Sequence, residues 1–176
     1  MITTGITGSA WRASISPWGR VEPWDDDRPL DWYVAADDRW HVPADEPTVR
    51  QQRVDGTPVT ETRVRVPNGD VVQRIYSVPE AGGLTIVEVE NESTLPVAVA
   101  FDRPDVVTER PVADIPIEGI ELPPGSYVMP LGHTATLRVG IPHGTAPERL
   151  PDVPAARQVA NGWLATTERA SRFVLP

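Results

Sequence analysis

Residues 59–101 read VTETRVRVPNGDVVQRIYSVPEAGGLTIVEVENESTLPVAVAF, and this stretch decides the fold. It holds four Val-rich segments at 59–66, 71–78, 84–90 and 95–101, separated by short runs of turn residues. The pair Asn68-Gly69 is typical of a tight hairpin, because both residues tolerate a positive φ. Successive strands joined by short turns pair antiparallel. The stretch therefore predicts a four-stranded antiparallel meander.

Alternating residues along the first segment predict which face of the sheet is buried. Thr60, Thr62, Val64 and Val66 lie on one face, and Glu61, Arg63 and Arg65 lie on the other. Residues 134–141 alternate in the same way, with Leu137, Val139 and Ile141 on one side. A half-buried sheet produces this pattern, and two such sheets bury their apolar faces against each other.

Shorter segments surround this region. The 20 prolines cut the chain into short pieces, which favours many short strands and turns over long helices. We predict further strands at 10–15, 30–35, 39–42, 115–122 and 126–129. The predicted fold class is all-β, a mostly antiparallel β-sandwich with a C-terminal α-helix. We divide the chain into a sandwich domain at 1–143, with a Trp-rich N-terminal part at 1–47, and a linker at 144–151.

The hydrophobic period changes at residue 152. Asp152 is a suitable N-cap and Pro154 suits the first helical turn, so we predict one amphipathic helix over 152–176. Its apolar stripe is formed by Val159, Trp163, Thr167, Ala170 and Val174. A helix this short is marginal alone in water. We expect it to pack on the β domain, on a second copy, or on a following domain of which it is the start.

Bulk composition excludes several function classes. The 176 residues contain no Cys and no Lys, so disulfides, thiolate catalysis and a phosphate-binding loop lysine are excluded. A net charge of −9 argues against nucleic-acid binding. The sequence has no apolar run of transmembrane length and no secretory signal, so we predict a cytoplasmic protein without membrane contact.

The sequence offers no convincing metal or cofactor motif. His41, His133 and His143 are too far apart to form a compact metal site. Asp25-Asp26-Asp27 lacks the spacing of a calcium loop, so we interpret it as a solvated loop. Asp37-Asp38 beside Arg39 is interpreted as a turn held by an Arg–Asp pair. We predict no metal, no cofactor and no catalytic residue in this chain.

Tryptophans are the best candidates for a binding site. Five of the six lie within the first forty residues, and Trp24, Trp32 and Trp40 flank acidic loops. Aromatic faces stack on sugars, while neighbouring carboxylates and guanidinium groups bind hydroxyls. We therefore predict carbohydrate contact by these three rings together with Asp37 and Arg39. The alternative is that the rings pack the sandwich or its interface with another domain.

One resemblance rests on the central strands. It is carried by RIYSV at 74–78, by LTIVEVENES at 84–93, and by LPVAVAF at 95–101. With these motifs, residues 50–143 resemble the N-terminal, supersandwich-like β-sandwich domains of glycogen-debranching and glucoamylase-like glycoside hydrolases, which precede an (α/α)6 barrel. Residues 162–164 and 173–176 resemble the linker and first barrel helix of those enzymes. The resemblance implies that the catalytic acid and base lie in the barrel, outside this sequence.

Three functions follow as expectations. The first is a non-catalytic accessory domain of a carbohydrate-active enzyme that packs on a helical catalytic domain. The second is a stand-alone carbohydrate-binding module that uses Trp24, Trp32 or Trp40. The third is a small enzyme that uses a carboxylate pair such as Asp37 and Glu88, which would have to lie about 5–10 Å apart.

Overall fold

The computed structural model describes residues 2–109 and 118–169. Thirteen strands and one α-helix lie in these ranges. They are β1 Ile2–Gly5, β2 Arg12–Ile15, β3 Val21–Pro23, β4 Trp32–Ala35, β5 Trp40–His41, β6 Arg50–Arg53, β7 Thr60–Val66, β8 Gly69–Val78, β9 Leu84–Asn91, β10 Val97–Phe101, β11 Val107–Thr108, β12 Tyr127–Leu131, β13 Thr136–Pro142 and α1 Ala156–Glu168.

The strands form three antiparallel sheets. The orders are β1-β2-β3, β12-β10-β4-β5 and β11-β13-β9-β8-β7-β6. The predicted all-β class with a C-terminal helix is therefore confirmed. The alternation predicted for 59–66 also holds, since Thr60, Thr62, Val64 and Val66 are all buried. Glu61 is buried as well, because Arg63 and Arg74 pair with it on the other face.

The predicted four-stranded meander is wrong at its last strand. β7, β8 and β9 are consecutive neighbours, but β10 leaves them and joins the second sheet between β12 and β4. The buried Asn91 side chain organises this corner: its Nδ2 donates to the carbonyl oxygens of Leu95, Leu131 and Gly132. Its Oδ1 accepts from the Ser93 backbone and hydroxyl. These five bonds fix a crossover where a simple turn was predicted.

The β7–β8 hairpin forms where it was predicted, with a different register. Val66 pairs with Gly69, so Pro67 and Asn68 are the two turn residues, and Asn68 has a φ of 63°. Gly69 is needed for another reason. A Cβ at this position would lie 2.5 Å from Ser93 Cα, so the hairpin packs closely against the Asn91 corner.

All three sheets share one apolar core. Trp11, Ala13 and Ile15 come from the N-terminal part, and they pack with residues of both larger sheets. The other contributors include Trp32, Val34, Val64, Ile75, Val87, Val99, Phe101, Val139 and Ile141. The Trp-rich N-terminal part is therefore integral to the sandwich.

A second apolar cluster covers part of the outer face of the six-stranded sheet. Tyr76, Val78, Leu84 and Ile86 form its floor. The covering residues are Leu150, Val153, Ala156 and Ala160, and Val107 on the edge strand β11 joins the cluster. Leu150 lies in the segment 144–151 that was predicted as a linker, so this segment is partly packed on the sheet, and Val153 packs there just before α1.

The helix differs from the prediction in its start and in its buried face. It begins at Ala156 after an N-cap at Ala155, so neither Asp152 as N-cap nor Pro154 in the first turn is correct. Tyr76 Oη donates to the Pro154 carbonyl, which holds this segment extended before the helix. The predicted stripe residues Ala170 and Val174 lie outside the described residues.

Two further strand predictions have mixed outcomes. The segment 126–129 corresponds to β12 and lies at a sheet edge. The segment 115–122 lies partly outside the described residues, and its described part, 118–122, contains no strand. Within 2–109 and 118–169, no helix is long and apolar enough to cross a membrane.

Candidate functional site

The structure separates the three predicted sugar-stacking tryptophans. Trp32 is only 1% exposed, and its Nε1 donates to the Trp18 carbonyl at 2.9 Å. A ring buried to this extent cannot stack on a ligand, so Trp32 belongs to the core, as the alternative interpretation held. Trp24 and Trp40 are the two that keep solvent contact.

Trp24 lies beside the acidic loop. Its ring is 65% exposed, and its Nε1 donates to Ser14 Oγ at 2.9 Å. The loop is less solvated than predicted, because Asp26 accepts from Arg28 and from the buried Arg103. Asp25 and Asp27 are exposed. The loop therefore has a structural ion pair at its centre.

Trp40 lies in a group of polar residues that we call the hairpin cluster: Asp38, Arg39, Trp40, His41 and Glu46. The short strands β4 and β5 pair through Val34 with His41 and Ala35 with Trp40. The intervening turn carries Asp37, Asp38 and Arg39, all exposed. Glu46 follows on the loop towards β6, and its carboxylate returns to the hairpin.

His41 is the centre of the hairpin cluster. It is 3% exposed, and each ring nitrogen lies 3.0 Å from a carboxylate oxygen. Nε2 faces Asp38 Oδ1, and Nδ1 faces Glu46 Oε1. Both contacts are hydrogen bonds when both nitrogens carry protons. The bond from His41 is the largest influence on Asp38 and holds the pKa of that carboxyl below its usual range.

Arg39 and Glu46 form a two-pronged ion pair. The two guanidinium nitrogens Nη1 and Nη2 lie 2.6 and 3.2 Å from Glu46 Oε1 and Oε2. Nη1 also donates to the Trp40 carbonyl. The bond from Arg39 is the largest influence on Glu46 and lowers the pKa of its carboxyl, although burial acts in the opposite direction. This pairing corrects the predicted pairing of Arg39 with a neighbouring aspartate.

The Trp40 ring is fixed at its edge. Its Nε1 donates to the Glu118 carbonyl at 2.8 Å, and a Cβ at Gly119 would lie 3.3 Å from Trp40 Cδ1. The half-buried Trp40 follows the exposed Asp38 and Arg39 in the chain, and these two side chains are paired with His41 and Glu46. The hairpin cluster can donate and accept hydrogen bonds and offer an aromatic surface within a few residues.

The sequence prediction named Arg39 and Trp40 of this cluster, together with Asp37, which lies outside it, and did not include Asp38, His41 or Glu46. In the sequence, Asp38 precedes His41 by three positions and Glu46 follows it by five. That spacing resembles no common motif. Only the hairpin and the following loop bring both carboxylates to one imidazole.

The predicted carboxylate pair does not form. Asp37 is exposed on the β4–β5 turn, whereas Glu88 is buried on the outer face of the other large sheet. Glu88 Oε2 accepts from Arg138 Nε at 2.9 Å and from the Ala156 amide at 3.1 Å. Its role is to hold the start of α1 on the sheet.

A second surface lies on α1. Ala156 and Ala160 are buried against the sheet, but every described residue beyond Ala160 is exposed except the half-buried Leu164. Trp163 is 41% exposed. The predicted stripe is therefore only partly buried, and the second half of the helix extends past the sheet with an aromatic ring in solvent.

The described ranges contain no group of three or more His, Cys, Asp or Glu residues that could hold a metal ion. No protein-family model, curated protein or solved structure matches this chain.

Proposed function

We propose that this chain is a non-catalytic accessory β-sandwich domain of a carbohydrate-active, glycoside hydrolase-like protein, and that α1 docks it on a helical catalytic domain. One observation carries the proposal: α1 is docked on the sheet only through its first half. The second half presents Trp163 and Leu164 beyond the sheet. The resemblance of the central strands to such accessory domains supports the same interpretation.

The anchoring of α1 supports a fixed docking surface. Glu88 accepts from the Ala156 amide, and Tyr76 donates to the Pro154 carbonyl at 2.8 Å. These buried bonds set the direction in which the helix leaves the sheet. Contiguous exposed apolar patches mark interaction surfaces, and Trp163 would supply the aromatic part of such a patch. A partner helix would bury Trp163 with little rearrangement of the sandwich.

The positions of Glu88 and Asp37 support the proposal that the chain is non-catalytic. Glu88 is engaged with Arg138 and with the Ala156 amide at the helix start, and Asp37 lies on the β4–β5 turn of the other large sheet. A cytoplasmic location belongs to the same proposal.

Reading the gene beyond the codon for Pro176 tests the proposal. We expect the frame to continue into a helical domain, and hydrolysis of glucans to require that domain while the isolated chain is inactive. A stop codon directly after Pro176 in an intact gene would overturn the proposal. So would glycan hydrolysis by the isolated chain.

A further inference from the structure

We infer that the hairpin cluster is a binding site for a neutral oligosaccharide, with Trp40, Arg39 and Asp38 as contacts and His41 and Glu46 as positioning residues. The inference rests on the proposed function, because it assigns a ligand class to the accessory domain. It also narrows the predicted site. Trp32 is excluded by burial.

The exposed groups match what a sugar ring requires. A carboxylate accepts hydrogen bonds from hydroxyls, and a guanidinium donates to hydroxyl oxygens from a planar fork. The aromatic ring supplies an apolar face for the C–H groups of the sugar. Asp38, Arg39 and Trp40 are consecutive, and Arg39 Nη1 donates to the Trp40 carbonyl, so the three residues lie together at the β4–β5 hairpin.

The buried groups explain why this surface is rigid. Arg39 is held at both nitrogens by Glu46, and Asp38 is held by His41. Ordering these side chains in advance removes part of the entropy cost that a ligand would otherwise meet.

Stability alone does not account for the arrangement. Burying an imidazole and a carboxylate costs free energy relative to apolar side chains, even when the two are paired. The Arg39–Glu46 ion pair stabilises the fold only a little, because solvent screens the exposed guanidinium. The useful product of the buried His41–Glu46 pair is the fixed geometry of Arg39 and Asp38 at the surface.

An NMR titration of the chain tests the site. Maltoheptaose and cellohexaose are added separately, and the indole N–H signals of all six tryptophans are followed. We expect one of the two sugars to shift the Trp40 signal while the Trp24 and Trp163 signals stay unchanged. Trp40→Phe should weaken binding about threefold to tenfold. Trp24→Phe is the matched control, and it should leave the affinity unchanged.

Glu46→Gln separates positioning from a purely structural role. The amide keeps one contact to His41 but no longer pairs with the charge of Arg39. We expect weaker sugar affinity while the Trp40 signal still shifts at saturation. If Glu46→Gln lowers only the melting temperature and leaves the affinity intact, the positioning role is wrong.

The remaining outcomes are decisive for the site. Absence of a Trp40 shift with both sugars overturns it, and so does a shift confined to Trp24 or Trp163. Neither result affects the proposal that α1 docks on a helical domain, which depends on Trp163 and on the gene beyond Pro176. If the gene encodes no following domain and sugar still binds at Trp40, the site is supported and the protein is a stand-alone binding module.

Discussion

At the scale of single residues, glycines and buried hydroxyls show how tightly the sandwich is packed. Gly19 has a φ of +87°, and a Cβ there would lie 2.0 Å from Gln73 Oε1 and 2.9 Å from Trp32 Nε1. Gln73 is itself fully buried and donates to the Gly19 carbonyl. The sequence marks Pro17-Trp18-Gly19 only as a turn. It gives no sign that the turn is packed against a buried glutamine.

Gly19→Ala should destabilise the chain by about 2–5 kcal/mol, because left-handed strain and overpacking act together. Gly8→Ala is the matched control: φ is +84° there, but nothing lies within 4 Å of the added Cβ. The control should cost only the backbone strain, about 1–2 kcal/mol. Urea unfolding measures both variants, and equal losses would contradict the close packing at Gly19.

Thr60 and Thr62 give opposite expectations on one strand. Both are fully buried, but Thr60 Oγ1 has no hydrogen-bond partner among the described residues, whereas Thr62 Oγ1 accepts from Gln51 at 3.1 Å. Thr60→Val should therefore stabilise by about 1 kcal/mol, and Thr62→Val should destabilise by a similar amount. A loss of stability in Thr60→Val would show that its hydroxyl has a partner.

His143 predicts a pH dependence. It stacks on Trp11 with ring centroids 3.7 Å apart, and burial lowers its pKa to about 4, against a partial opposing effect of Asp25. The unfolded chain binds a proton near pH 6.5, and the folded chain does so only near pH 4. This contribution to stability is complete above pH 6.5 and is lost as the pH falls towards 4.

His143→Phe keeps a stacked ring and removes the titration. We expect the unfolding free energy of the wild type to fall more steeply than that of the variant between pH 6.5 and 4.5. Urea unfolding at several pH values measures the difference, and parallel curves would refute the assignment.

At the scale of secondary structure elements, the joint between α1 and the six-stranded sheet is the critical feature. Charged residues cross four neighbouring strands in register as Glu61, Arg74, Glu88 and Arg138. Glu88 of this row also accepts from the Ala156 amide at the helix start. The period of the apolar residues predicted the helix. Its start at Ala156, however, depends on a bond from Tyr76 to Pro154, 78 residues away, and on a bond between Glu88 and Ala156, 68 residues apart. Local patterns carry no information at that distance.

Tyr76→Phe should loosen the helix start. It removes the bond to the Pro154 carbonyl and leaves that buried oxygen unsatisfied, at a cost of about 1–3 kcal/mol. Amides 156–160 should exchange faster with solvent hydrogen. Tyr127→Phe is the control, because its hydroxyl donates to the Pro104 carbonyl at an exposed site. Equal protection of amides 156–160 in both variants would show that Tyr76 does not hold the start of the helix.

At the scale of the whole molecule, the sequence predicts the class of fold better than its connections. Alternation along β7 and β13 was sufficient for an antiparallel sandwich. The crossover at β10 was not predictable, because it depends on the buried Asn91, two of whose three carbonyl partners, Leu131 and Gly132, lie in a distant segment. The candidate site shows the same limit: Arg39 and Trp40 are visible as residue types, but the His41–Glu46 support exists only after folding.

The proposal at this scale is that the second half of α1 is an interface. The most direct test is hydrogen exchange of amides 161–169, compared between the isolated chain and the protein translated from the full reading frame. We predict fast exchange in the isolated chain and strong protection in the full protein, with protection lost in Trp163→Ala and kept in Trp24→Ala. Fast exchange of these amides in the full protein would contradict the docking role of the helix.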